Sequence, residues 1–263
     1  MSDTAEAIVF DKVGKTFDNG RVKAVADVSL HIAAGEFVAI VGGSGSGKTT
    51  LLRLANRLLD ADSGHVRISG RSVQQSDPIA LRRSIGYVFQ SAGLFPHMTA
   101  AGNIGITPRL LGQPAADIAV RVDELLTLVR LAPPENYRDR YPHELSGGER
   151  QRVGVARALA ARPRIVLMDE PFGALDPLTR DALGDDYLRL HRDLGLTTIM
   201  ITHDMTEAML LANRIAVMRE GRLLGQGTPQ ELGRSDNLYI KELLNTPRKQ
   251  AARLQAVLTD RSA

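Results

Sequence analysis

The sequence predicts an α/β fold, a parallel sheet with helices over both faces. Two observations predict it. Short apolar runs alternate with longer stretches of helical period through the second half of the chain, the mark of parallel strands joined by crossovers. Nearer the start, the apolar run Phe37-Val38-Ala39-Ile40-Val41 leads into Gly42-Gly43-Ser44-Gly45-Ser46-Gly47-Lys48-Thr49-Thr50 and then into a helical stretch at 51–58. That order of strand, glycine-rich loop and helix gives the loop a definite place at a strand's end.

The elements follow in order. Ile8, Phe10 and Val13 fall in a polar/apolar pattern, and 24–32 forms a second strand-like segment before a turn at Gly35. Residues 65–69 and 85–89 are further strands. Between Thr99 and about Arg162 the period becomes helical. Residues 116–131 put Val120, Leu125, Leu128 and Val129 near one face. Residues 148–161 do the same with Val153, Ala156, Leu159 and Ala160, and Pro133-Pro134 separates the two helices. Strands return at 164–168 and 197–201, with a helix over 177–194 between them and another over 204–211. Ile215 to Met218, Glu220-Gly221 and Arg222 to Leu224 read as a hairpin. In 236–258, Leu238, Leu243, Leu254 and Leu258 stand near helical spacing with Arg248 and Lys249 between them, which predicts a helix or two docked on the core.

Composition narrows the function. The chain has 263 residues, 43% hydrophobic and 24% charged, which is ordinary for a globular protein. It has no cysteine, so disulfides and thiolate metal sites are excluded. A net charge of +3 with acids and bases interspersed, and no basic face with interleaved aromatics, gives no support to nucleic-acid binding. The start, Met1 to Glu6, is polar and acidic rather than a secretory signal, and no apolar run approaches the roughly 20 residues of a membrane helix. The chain is expected to be soluble.

The glycine-rich loop has a phosphate-binding chemistry. Glycines let successive N–H groups turn inward as an anion nest, and the helix start adds its positive dipole end. Lys48 supplies a point charge for the outer phosphates and Thr49 a hydroxyl for Mg²⁺. The bland alternative is a glycine-rich turn with an exposed lysine.

The strand at 164–168 ends in Asp169 and Glu170, and open α/β sheets place ligands at the carboxyl ends of their strands. Asp169 is placed to hold Mg²⁺, and Glu170 to polarise a water for attack on a γ-phosphate. Leu145-Ser146-Gly147-Gly148-Glu149-Arg150-Gln151 opens a helix. Ser146 and Glu149 form a capping-box pattern there, so a well-capped helix is one reading. A cap needs no glycine pair, however, and the pair makes sense if exposed N–H groups approach another phosphate.

With these motifs in view, nearly the whole chain resembles the ATP-binding subunit of an ABC transporter. Residues 42–50 match Walker A, 165–169 match Walker B with Glu170 as the catalytic glutamate, and 145–151 match the ABC signature. Gln90 matches the Q-loop, Ala174-Leu175-Asp176 the D-loop and His203 the switch histidine. Phe17 matches the aromatic that stacks on adenine, usually a tyrosine. Taken singly, Gln90 also reads as a polar strand terminus, His203 as the start of a helix and Phe17 as core.

The resemblance implies a P-loop NTPase (RecA-like) core with an antiparallel β subdomain and an inserted α-helical subdomain. The ATPase domain is expected at 1–235, its helical part at about 91–162, and a helical tail at 236–263 without CBS domains. It implies ATP and Mg²⁺ as ligands, the metal met by Thr49, Asp169 and Gln90. Two copies would clamp ATP between them, with Ser146, Gly147, Gly148 and Glu149 acting across the interface and Asp176 beside it. Integral-membrane permease subunits and, indirectly, a solute-binding protein are the implied partners, at the cytoplasmic face of the membrane.

Within the family, Leu54-Ala55-Asn56-Arg57-Leu58, the 85–90 and 93–99 stretches and Tyr137-Arg138-Asp139-Arg140-Tyr141-Pro142 resemble importers of glycine betaine, choline and related quaternary amines. Glu149 stands where the signature commonly has Gln, and Gly173 where the D-loop often has Ser. An importer of another small solute, such as an amino acid, stays open, as does a soluble ABC ATPase of translation or repair. The single ATPase unit and the short 90–145 insert weigh against the latter. A nucleotide sensor without turnover needs neither Glu170 nor His203.

Overall fold

The computed structural model describes residues 6–260; Met1 to Ala5 of the polar start lie outside the described residues. The chain begins with β1 (Glu6–Phe17), β2 (Val22–Ala33) and β3 (Phe37–Val41), then α1 (Lys48–Ala55), β4 (Ser63–Ile68), β5 (Arg71–Ser72), α2 (Pro78–Ser84) and β6 (Ile85–Val88). A helical stretch follows: α3 (Ala100–Ile104), α4 (Ile106–Leu110), α5 (Ala115–Leu128) and α6 (Gly147–Leu159). Strands then alternate with helices: β7 (Ile165–Asp169), α7 (Pro177–Asp193), β8 (Thr197–Thr202) and α8 (Met205–Leu211). The hairpin β9 (Arg214–Arg219) and β10 (Arg222–Gly227), the single turn α9 (Pro229–Leu232) and the long α10 (Leu238–Asp260) complete the described chain.

Among the described residues the strands form two sheets. One is antiparallel, in the order β2-β1-β4-β5; the other runs β10-β9-β3-β8-β7-β6. In the larger sheet β9, β3, β8, β7 and β6 are mutually parallel and β10 is the antiparallel edge. β3 sits inside it because all five of its residues are apolar, and both faces of a parallel sheet are covered. Its side chains alternate between two cores. Phe37, Ala39 and Val41 join helices α5, α6 and α7, whereas Val38 and Ile40 join α1 and the antiparallel sheet. The small sheet and α1 therefore cover one face, and the long helices the other.

The sequence reading of α6 holds: Val153, Ala156, Leu159 and Ala160 are buried. That of α5 needs correction. Its buried residues are Ile118, Val122, Leu125 and Leu126, while Val120 is 61% exposed and Leu128 lies at the surface. At 100° per residue Val120 stands nearly opposite Ile118, so it cannot share that face. The tail is one docked helix, within the expectation of a helix or two, with Pro247 inside it. It docks through its first turns, where Ile240 is buried and Tyr239, Leu243 and Leu244 pack on the core. Leu238 and Leu254 are exposed, and the Leu258 side chain lies outside the described residues. Among the described residues no helix is long and apolar enough to cross a membrane.

Candidate nucleotide site

The glycine-rich loop joins the end of β3 to the start of α1. Two of its glycines are required by close backbone approach. A Cβ on Gly42 would run into the Met218 carbonyl of β9, and one on Gly47 into the Ala24 carbonyl of β2. Gly47 also has φ +97 at the helix N-cap, a left-handed conformation. The β9–β10 turn braces the loop, since Gly221 donates its N–H to the Ser46 carbonyl at 3.1 Å. No side chain caps α1, so its first N–H groups face outward with the positive end of the helix dipole. The Ser46 hydroxyl is buried and has no hydrogen-bond partner among the described residues. An anion would satisfy these donors together.

Lys48 is buried, and its ammonium donates to the carbonyls of Gly42 at 2.8 Å and Gly43 at 3.0 Å. Burial pulls its pKa down, against the pull of the Glu170 and Asp169 carboxylates. Thr49 donates its hydroxyl to Asp169 Oδ1 at 3.1 Å, and Tyr87 donates to Oδ2 at 3.4 Å. A hydroxyl beside a carboxylate is a hard-oxygen pair that fits Mg²⁺. Among the described residues no three His, Cys, Asp or Glu side chains form a metal cluster. A cation at Thr49 and Asp169 would complete its shell from phosphate and water.

Glu170 follows β7 with φ +46, and its N–H is held by the Ile201 carbonyl of β8 at 3.0 Å. A non-glycine residue in this region is strained, and such strain gathers at functional sites. Its Oε2 accepts from Gln90 Nε2 at 3.0 Å and lies 3.2 Å from His203 Nδ1. Gln90, Glu170 and His203 stand just past the ends of β6, β7 and β8, which are neighbours in the sheet. The sheet order alone brings the three together with Asp169.

Ser146 to Glu149 and Asp176 form a second surface. Ser146 Oγ accepts from the Glu149 N–H at 3.2 Å, and Glu149 Oε2 accepts from the Ser146 N–H at 2.7 Å, a full capping box. Asp176 caps α7 through the Thr179 N–H at 3.0 Å, and hydrogen bonding to Thr179 holds its pKa low. These residues line one open concavity of about 500 Å³ with Thr179 and Leu178. Among the described residues no hydrogen bond or ion pair links Ser146 to Glu149 with the phosphate loop. The two glycines differ. A Cβ on Gly148 would come within 2.6 Å of Thr179 Cγ2, whereas one on Gly147 would meet nothing nearer than Arg150 at 3.9 Å. Gly148 thus has a packing reason that the sequence reading did not see. Among the described residues no close contact requires glycine at 147.

Phe17 ends β1, 38% exposed, with Lys15 Nζ 5.8 Å from its ring centroid. Asp62 fixes this strand end: it accepts from Lys15 Nζ at 2.6 Å and from the Thr16 N–H and hydroxyl at 2.7 and 2.8 Å. Those bonds, Lys15's first, bring its pKa down to about 2. Sequence reasoning passed over Asp62 and Tyr87. Neither lies in a motif; Tyr87 offered only its place one strand-step from Phe89 and Gln90.

The loop, the strand-end Asp–Glu pair and the histidine on the next strand define a P-loop nucleotide-binding fold. The family profile described as "ABC transporter" matches residues 25–173, more than half of the chain, and the chain belongs to that family. It is 48% identical over 239 residues to the glycine betaine/carnitine/choline transport ATP-binding protein OpuCA of Bacillus subtilis (strain 168), covering 90% of this chain and 62% of that protein. The chain thus spans less than two thirds of that relative's length. It is 48% identical over 236 residues to the glycine betaine uptake system ATP-binding protein YehX of Escherichia coli (strain K12), covering 89% of this chain and 75% of that one. Among solved structures it is similar to the dimeric, post-hydrolysis ATP-binding cassette MJ0796 bound to ADP and Pi. The TM-score is 0.76 at 33% identity, over 84% of this chain and 98% of that one.

Proposed function

We propose that this chain is the ATP-hydrolysing subunit of an importer that takes up a compatible solute such as glycine betaine, choline or a related quaternary amine. The observation that carries the hydrolytic reading is the meeting of Gln90, Glu170 and His203 on one carboxylate oxygen beside Lys48, Thr49 and Asp169. The solute class rests on likeness to relatives named for those solutes.

Each residue has a part in this reading. Gly42, Gly43, Ser44, Gly45, Ser46, Gly47, Lys48, Thr49 and Thr50 wrap the phosphates, with Lys48 turning from the Gly42 and Gly43 carbonyls to the anion. Thr49, Asp169 and Gln90 would hold Mg²⁺, which would supply positive charge to offset that of the phosphates. Glu170 takes the proton of the attacking water, and His203 steadies the γ-phosphate. Phe17 stacks on the adenine.

A second copy of the chain completes the site. Ser146, Gly147, Gly148 and Glu149 present their helix start to the partner's nucleotide, with Asp176 beside them. Gly147 supports this, because it stands at the exposed first position of α6 with open space over it for a partner's nucleotide to approach. The likeness to a dimeric cassette agrees. The membrane permease is proposed to dock at the groove of about 340 Å³ next to Gln90, where Phe89, Phe95 and Leu110 are exposed. That puts the chain on the cytoplasmic face of the membrane as a peripheral subunit, with a solute-binding protein as an indirect partner and no nucleic acid. We assign residues 1–235 to the ATPase domain, about 91–162 within it to the helical subdomain, and 236–263 to the tail.

The test is reconstitution of the chain with its permease in vesicles, measuring uptake of labelled glycine betaine or choline against ATP hydrolysis. Coupled uptake abolished by Glu170→Gln supports the reading. Hydrolysis driven only by an unrelated solute overturns the assigned substrate class.

A further inference from the structure

The Gly42–Gly43 peptide is held from both sides. Its carbonyl, that of Gly42, accepts from Lys48 Nζ at 2.8 Å. Its N–H, that of Gly43, donates at 3.2 Å to the hydroxyl of Tyr239, a residue 196 positions further on. Tyr239 lies in the first turn of α10, outside every motif of the nucleotide site.

The tyrosine is seated firmly. Asn237 Oδ1 accepts from the Tyr239 N–H at 3.0 Å, capping the helix start. The next residue, Ile240, is buried in the core under the parallel sheet. The Arg219 guanidinium stands 4.8 Å from the Tyr239 ring centroid, a cation–π contact. Arg219 directly follows Met218, whose carbonyl abuts Gly42. The end of β9 and the start of α10 therefore brace Gly42 and Gly43 as one unit.

This bracing matters because two consecutive glycines have the widest backbone freedom a chain offers. The Lys48 ammonium has three protons: two meet the Gly42 and Gly43 carbonyls, and the third is available to a bound phosphate. Any shift of Lys48 toward an anion loosens its hold on the Gly42 carbonyl. The Tyr239 hydroxyl remains on the N–H side of the same peptide.

We propose that Tyr239 is a positioning residue for the phosphate loop. Its hydroxyl keeps the Gly42–Gly43 peptide oriented while Lys48 engages phosphate, so the seating of α10 sets the affinity for nucleotide. Preorganisation of this kind acts on binding rather than on the chemical step. The inference rests on reading residues 42–50 as the nucleotide site.

The experiment uses the full chain and titrates a fluorescent ATP analogue with Mg²⁺ into wild type, Lys48→Ala, Tyr239→Phe, Tyr239→Ala, Gly43→Pro and the Gly43→Pro, Tyr239→Phe double variant. Steady-state hydrolysis and thermal melting are measured alongside. Tyr239→Phe removes one hydrogen bond and keeps the ring over Arg219. It should raise Kd and KM by about two- to ten-fold, the worth of one such bond, with kcat and melting temperature close to wild type. Tyr239→Ala should add a loss of melting temperature through the lost packing. Gly43→Pro deletes the donor, and in that background Tyr239→Phe should change Kd no further. An unchanged or tighter Kd in Tyr239→Phe, with Lys48→Ala impaired, overturns the role of Tyr239 and leaves the nucleotide site standing. A Kd unaffected by Lys48→Ala overturns the site itself, and this inference with it.

Discussion

Glu170 Oε2 lies 3.2 Å from His203 Nδ1, and the same oxygen accepts from Gln90 Nε2 at 3.0 Å. Three strand ends thus converge on one atom. Replacing Glu170 by Gln keeps the shape and a hydrogen-bonding oxygen but removes the base. Hydrolysis should fall by about 10²- to 10⁴-fold while ATP affinity stays within a few-fold, checked by phosphate release and by nucleotide titration. Equal turnover in the variant contradicts the role given to Glu170.

The signature glycines separate folding from function. Gly148→Ala forces a methyl against Thr179 and should lower the melting temperature, and Thr179→Ser in the same chain should restore it by removing Cγ2. Gly147→Ala meets open space at the first position of α6 and should leave the unfolding free energy within about 0.5 kcal/mol of wild type. It should nevertheless reduce hydrolysis in the assembled dimer. Denaturant unfolding and ATPase assays on the same samples check both.

Arg180 ties the turn before α7 to the turn before α8. It donates to the Leu175 carbonyl at 3.3 Å and to Asp204 Oδ2 at 3.4 Å, and its Nε lies 3.7 Å from Glu207 Oε1. Glu207 is buried, accepts from the Thr202 hydroxyl at 2.6 Å, and has its pKa pushed up by that burial. Arg180→Ala leaves a buried carboxyl without its cation. The expected loss is about 1–3 kcal/mol of unfolding free energy, partly recovered by Arg180→Lys, read by urea denaturation. Because His203 sits between Thr202 and Asp204, hydrolysis should fall as well.

His191 gives a pH dependence of stability. Its Nδ1 lies 3.0 Å from the buried Thr198 hydroxyl, and burial holds its pKa below the usual 6.5. Arg192 pushes the same way, and a hydrogen bond involving the Gly35 backbone opposes them. Above about pH 6.5 the imidazole is neutral in both folded and unfolded chains, so its full contribution is present. As pH falls below that value the unfolded chain takes up the proton first, and stability declines until the folded imidazole titrates. Melting curves from pH 8 to 5 should show this decline, and His191→Gln should flatten part of it.

The parallel core was readable because its strands are unbroken apolar runs: every residue of β3 is buried, and no other element type is that short and that uniform. Asp169, Glu170 and His203 were readable for a related reason: each stands at or just past a strand's end, where an apolar run stops. Lys48 was readable from the glycine-rich loop that leads from β3 into α1. The α5 face was misjudged because Leu125 and Val129 fit two overlapping stripes, and only packing chooses Ile118 and Val122 over Val120 and Leu128. Tyr87 reaches Asp169 only because β6 pairs with β7, across a helical region that hides the pairing in sequence order. The packing of Gly148 on Thr179 and the bond from Gly43 to Tyr239 are likewise products of tertiary approach. Local pattern carries no trace of either.

In the proposed function two copies of this chain close over shared nucleotide. The most direct measurement is the mass in solution of Glu170→Gln with and without Mg-ATP, by light scattering on a sizing column. A dimer that forms with Mg-ATP and reverts to monomer when the nucleotide is removed is the predicted result. A strict monomer at saturating Mg-ATP, with the membrane partner supplied as well, contradicts it.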